Sequence, residues 1–100
     1  TDPPTAVLAA NDILAIGALQ AVYDTGLRVP QDVSIVGMDD IYAISVTTPP
    51  LTTVAKQKYE VGWQAATFLL ARIRDEGPET PRRHAFPCRL IARGSTASPA

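Results

Sequence analysis

Residues Thr5 to Ala10 form a short, almost wholly apolar run, the pattern of a strand buried on both faces in a parallel sheet. Asn11-Asp12 follows and supplies helix-capping chemistry, because a short side-chain oxygen can accept from the free N–H groups of a first turn. The spacing predicts a helix to about Thr25. Gly26 stands where a left-handed C-terminal residue is wanted, with Pro30 shortly beyond. Val33 to Gly37 is a second apolar, β-branched run, so strand, helix and strand fall at the spacing of one right-handed βαβ unit.

From Met38 to Pro50 the pattern loses its period, which predicts a loop with at most one helical turn. Leu51 to Ala55 reads as a brief strand. Tyr59 to Asp75 then carries Val61, Ala65, Leu69 and Ile73 at four-residue spacing with Glu60, Gln64, Thr67 and Arg74 opposite, the signature of an amphipathic helix. Gly77-Pro78 ends it. Ala85 to Arg93 predicts two strand-like pieces separated near Pro87, and Ser95 to Ala100 reads as a loose tail.

The first helix is apolar on two sides. At 100° per residue, Leu14, Ala18 and Ala21 fall on one face, where small side chains suit close packing on a sheet, and Ile16, Leu19 and Tyr23 fall on the other. Burying each large side chain of that second face is worth roughly 1.5–3 kcal/mol. Either another part of the chain covers it, or a second subunit does through a two-fold contact at Ile16, Leu19 and Tyr23.

Composition narrows the choice of function. The 100 residues, 46% hydrophobic, fit one small domain or a piece of a larger one. Nine basic against ten acidic side chains give a net charge of −1, with no basic stripe to neutralise phosphates, so the segment alone is not expected to hold nucleic acid. A single cysteine, Cys88, suits a reducing cytoplasm. No apolar run approaches the roughly 20 residues of a membrane span, and the opening Thr1-Asp2-Pro3-Pro4 reads as the interior of a longer chain.

Both strands of the βαβ unit are followed by polar residues, Asn11-Asp12 after the first and Asp39-Asp40 after the second. In a parallel sheet the ligand crevice lies beyond the carboxyl ends of the strands. An amide that donates and accepts and a carboxylate that accepts two or more hydrogen bonds suit the adjacent hydroxyls of a sugar. The same residues can equally be helix caps and turn formers. No nucleophile and base pair can be assembled, so an enzyme is not expected, nor is a metal or cofactor. His84, beside Arg82 and Arg83, reads as a solvated side chain, and Trp63 as a packing residue of the second helix.

Taken together, Pro4-Thr5-Ala6-Val7-Leu8-Ala9-Ala10-Asn11-Asp12, Ala15-Ile16-Gly17-Ala18-Leu19, the stretch from Gly26-Leu27-Arg28-Val29-Pro30 to Gly37-Met38-Asp39-Asp40, and Pro49-Pro50-Leu51-Thr52-Thr53-Val54 closely resemble the LacI/GalR family of bacterial transcription regulators. The resemblance runs from about Pro4 to Thr96. It implies the α/β fold of type I periplasmic binding proteins, a parallel-sheet sandwich of two lobes with effector between them. Residues 1–96 are then the C-terminal lobe and hinge-crossing helix of the effector-binding and dimerisation domain, and 97–100 a flexible tail. By the same resemblance Asn11 and Asp39 match effector-contacting positions. Lys56 and Gln57 lie on the hinge side of the ligand, where Lys56 departs from the glutamine many members carry. The helix bearing Ile16 and Leu19 matches the dimer-forming helix.

The function expected is effector sensing by a cytoplasmic homodimeric regulator, the effector being a sugar or related small molecule. DNA is touched only through an N-terminal headpiece outside this segment. A periplasmic sugar-binding protein of a transport system is the main alternative, and a phosphoacceptor receiver domain a lesser one that lacks a further strand-end aspartate.

Overall fold

The computed structural model describes residues 2–99; Thr1 and Ala100 lie outside them. The chain divides into two units, one made of residues 2–55 with 89–99 and the other of residues 56–88. Each has its own organisation.

The first unit is a four-stranded sheet in the order β1 (Ala6–Leu8), β2 (Ser34–Asp39), β3 (Thr52–Ala55), β4 (Arg89–Ile91). β1, β2 and β3 are parallel, and β4 runs antiparallel to β3, so the sheet is mixed but mostly parallel. Helix α1 (Asp12–Asp24) joins β1 to β2. Its start is fixed by Asn11, whose Oδ1 accepts from the Leu14 N–H at 2.8 Å. Its end is fixed by Gly26 at φ 81°, the left-handed conformation expected there. The aperiodic stretch after β2 holds one 3-10 turn, Tyr42–Ser45. The core is Ala9, Ala15, Leu19, Val29, Val33, Ile35, Ile44 and Leu51.

Three expectations about this unit are corrected. β1 is not buried on both faces: Val7 packs against the core, while Leu8 on the other side is 73% exposed. An edge strand with α1 on one face buries only alternate residues. The inward stripe of α1 is Asp12, Ala15 and Leu19, with Ala18 packed partly on the core as expected, while Leu14 and Ala21 face outward. Leu19 is 6% exposed and Leu14 is 56% exposed, so the open apolar surface is built from Ile13, Leu14, Gly17 and Ala21. Finally, Ser95 is no loose end. Fully buried, its Oγ donates to Ile35 O at 2.5 Å and accepts from Thr52 N at 2.8 Å. Ala97 extends that attachment by exchanging two hydrogen bonds with the Ser34 hydroxyl.

The turn into β2 is held by Arg28, whose backbone N–H and guanidinium both donate to the Asp32 carboxylate. The side-chain bond from Arg28, then its backbone bond, holds the Asp32 carboxyl below its ordinary value, and the same pair raises Arg28. This contribution is present above the ordinary Asp value and fades as pH falls through the lowered one. The pair is exposed, so water screens it heavily.

The second unit consists of α2 (Lys58–Ile73) and the segment that returns from it. The expected helix is present, yet it has no buried residue. Val61, Leu69 and Ile73 are all exposed, and Trp63, expected to pack, is 65% exposed and stacks only on Tyr59 with ring centroids 6.2 Å apart. An apolar stripe is buried only where something lies on it, and within this unit residues 74–88 cover little of it. Arg82 stands 4.3 Å over the Phe68 ring, and exposed His84 leans on Phe86 at 4.4 Å. Ala85 and Phe86 form no strand; the two expected pieces reduce to β4 alone.

Gly37 in β2 has a specific reason to be glycine. A Cβ there would overlap Asp12 Oδ1 and stand 3.2 Å from the Ala15 Cβ, so any side chain would push α1 off the sheet. Gly37→Ala is expected to destabilise the fold by about 1–3 kcal/mol, measurable as a lowered urea midpoint with an unchanged slope.

Candidate functional site

The site begins with the register of β1 on β2. The last paired residues are Leu8 and Val36, and Ala9 N donates to Val36 O at 2.8 Å. Asn11 and Asp39 each lie three positions beyond those partners, so the two residues leave adjacent parallel strands at the same carboxyl rim.

Of the two roles open to Asn11, the cap is realised, and it constrains the other. Its Oδ1 accepts from Leu14 N–H, which leaves the amide N–H groups and one oxygen lone pair to offer a ligand. Asp39 is the last residue of β2 and has φ 117°, followed by Asp40 at φ 63°. Two successive non-glycine residues in this region cost of order 1–3 kcal/mol each. Such a cost persists where surrounding bonds over-determine the backbone, and they do so here. Asp40 Oδ1 accepts from Arg93 Nη2 at 2.8 Å, and Ile41 N–H donates to Asp12 Oδ2 at 2.8 Å. An amide donor and a carboxylate acceptor on a fixed rim can hold neutral hydroxyl-bearing molecules, and nothing in this pair favours an anion.

Asp12 is the residue that the pattern alone undervalues, where it figured only as a possible cap. It is fully buried, and its two oxygens are divided between Thr53 Oγ1, which donates to Oδ1 at 2.7 Å, and the Ile41 N–H. One carboxylate thereby joins the start of α1 to β3 and to the turn after β2. Arg93 went unrecognised for a similar reason: its partners Asp40, Leu51 and Thr52 stand more than 40 positions away. No local signal announces either role, though a glycine at 37 opposite an acid at 12 is a trace of it.

Lys56 and Gln57 belong to the second unit. Gln57 precedes α2, and its amide nitrogen donates to Pro87 O at 3.1 Å. That unit carries an open groove of ≈ 440 Å³ lined by Tyr59, Glu60, Trp63, Gln64 and Phe86. Apart from Glu60 and Gln64 its wall is aromatic, unlike the amide–carboxylate rim. On α1, Ile16 and Val22 pack partly on the core, and Tyr23 donates its hydroxyl to Thr48 O at 2.6 Å. Leu19, expected at a subunit contact, is spent on the core instead. Among the described residues no cluster of His, Cys, Asp and Glu could hold a metal ion, and no helix is long and apolar enough to cross a membrane.

This architecture is that of the periplasmic binding protein-like domain, a family that matches residues 1–96, and the chain belongs to it. Within it, the chain is of the kind carried by LacI-family transcription regulators. It is 45% identical over 97 residues to the HTH-type transcriptional repressor PurR of Haemophilus influenzae (strain PittEE), a match covering 95% of this chain and 29% of that repressor. Among solved structures, it superposes on the transcriptional regulator CelR in complex with cellobiose at a TM-score of 0.86 and 36% identity, covering 91% of this chain and 28% of CelR. It superposes on the lac repressor dimer bound to operator and the anti-inducer ONPF at a TM-score of 0.84 and 36% identity, covering 95% and 32%. These relatives are regulators rather than transport proteins or enzymes, which favours the regulator over the transport alternative. The chain spans less than a third of the length of each.

The Asp12 carboxylate leaves a direct mark on stability. In Asp12→Ala the Ile41 N–H and the Thr53 hydroxyl lose their acceptor, at a cost of about 1–3 kcal/mol for each buried donor left unpaired. Chemical unfolding should show the loss, and a midpoint equal to the parent's would contradict the bridging role.

Proposed function

We propose that this chain is the effector-binding and dimer-forming part of a LacI-family transcription regulator, and that Asn11 and Asp39 contact the effector. The observation that carries the proposal is the shared rim: an amide held in place by its helix cap and a carboxylate on strained backbone, following neighbouring strands in equal register. The cellobiose complex of CelR supports a neutral sugar or similar polyol as the effector class. DNA is read by a headpiece outside these 100 residues, the regulator acts in the cytoplasm, and this part has no catalytic role. Effector that binds a closed arrangement better than an open one shifts the population by that difference in affinity and no more. The chain crosses between its two units at Ala55–Lys56 and Cys88–Arg89, which suits a hinge there.

Calorimetric titration of the full-length protein with cellobiose, ribose and adenosine tests the assignment. At least one is expected to bind, and Asp39→Ala to weaken it about tenfold or more, the worth of a hydrogen bond to a charged group. Asn11 separates its two roles by chemistry. Asp caps a helix as well as Asn, so Asn11→Asp should keep the melting temperature and lose affinity, whereas Asn11→Ala should lose both. Binding by the parent and Asp39→Ala with equal affinity would remove Asp39 from the site.

The dimer contact is proposed on the outward face of α1. Ile13 is 70% exposed beside Leu14, Gly17 and Ala21, with Ile16 and Tyr23 on its border. The lac repressor relative is a dimer. Ile13→Asp with Leu14→Asp should turn a sedimenting dimer of the full-length protein into monomers, and an unchanged sedimentation coefficient would place the interface elsewhere.

A further inference from the structure

The turn that presents Asp39 is held from a distant part of the chain. Arg93 leaves β4 and reaches the turn with a divided guanidinium: Nη2 donates to Asp40 Oδ1 at 2.8 Å and Nη1 to Leu51 O at 3.1 Å. Its own N–H donates to Thr52 Oγ1 at 2.9 Å. The arginine is thus anchored at both ends of its side chain, on the segment that opens β3. On the other side of Asp40, Asp12 Oδ2 holds the Ile41 N–H. Asp39 and Asp40 are the two residues with φ of 117° and 63°, and non-glycine backbone of this kind relaxes when its restraints are removed.

We propose that Arg93 is a positioning residue for the effector site: by pinning Asp40 to Leu51 it keeps Asp39 in its left-handed conformation and so aims the Asp39 carboxylate at the ligand. This rests on the reading of Asp39 as an effector contact. Arg93 itself touches no ligand in this scheme. A planar fork is what the task needs, because it addresses a carboxylate and a carbonyl at once, which a single ammonium does less well. Asp12 is the second restraint, but its burial ties it to the stability of the whole unit, so Arg93 is the cleaner probe.

Two measurements on the full-length protein decide the matter, with cellobiose, ribose and adenosine again as the titrants. In the first, Arg93→Met should weaken calorimetric binding about tenfold, and Arg93→Lys should recover part of the loss. The same Arg93→Met change in an Asp39→Ala background should cost nothing further, since residues that act through one another are not additive. A purely structural arginine would cost the same in both backgrounds, and that result overturns the proposal. In the second, the unliganded crystal structure of Arg93→Met should show Asp39 outside the positive-φ region; Asp39 unmoved at positive φ would also overturn it. If Asp39→Ala by itself leaves binding intact, or no titrant binds, the effector assignment falls and the aiming role with it, while the crystal structure still reports whether Arg93 holds the turn. Should Arg93→Met not fold, Asp40→Ala removes the acceptor from the same pair on its partly exposed side and is read by the same outcomes.

Discussion

The first unit depends on one buried carboxylate. Asp12 sits at the first position of α1 with no solvent access, and a group of that kind is tolerated only when its oxygens are fully engaged. Thr53 and Ile41 engage them, one from β3 and one from the turn after β2. This requirement fixes the rotation of α1 about its axis, because Asp12 must point inward, and Ala15 and Leu19 then follow it into the core at helical spacing. It also fixes the identity of Gly37, the only kind of residue that leaves room for the carboxylate beneath the helix.

The same constraint links stability to the candidate site. The Ile41 N–H held by Asp12 lies two residues after Asp39, and the side chain of the intervening Asp40 is held by Arg93. Asn11, the residue before Asp12, caps the helix and presents its amide at the same rim. The polar residues at the strand ends therefore serve the fold, and the proposed effector contact is built from the same residues. Their backbone strain is what such a rim costs, and the buried network around Asp12, Thr52, Thr53 and Ser95 offsets it.

The two apolar surfaces left open have different standing. The outer face of α1 is a compact patch on a unit with its own core, the condition for a subunit contact. α2 has no buried residue at all. Its aromatic and aliphatic side chains stay open, and the chain spans less than a third of the length of these relatives.

The sequence by itself determined the order and type of nearly every element. The parallel βαβ unit, the Asn11 cap, the Gly26 stop, the single turn after β2 and α2 all follow from local spacing and turn chemistry, which act over a few residues. The placing of Asn11 and Asp39 on one rim was legible for the same reason, since parallel strands joined by one helix end at the same side. What only the tertiary structure decided is which way α1 faces, that Leu19 is core and Leu14 is surface, that Ser95 is buried, and that Arg93 grips the turn beside Asp39. Those outcomes are set by hydrogen bonds between residues 29 to 60 positions apart, and no local period carries information about partners so far along the chain.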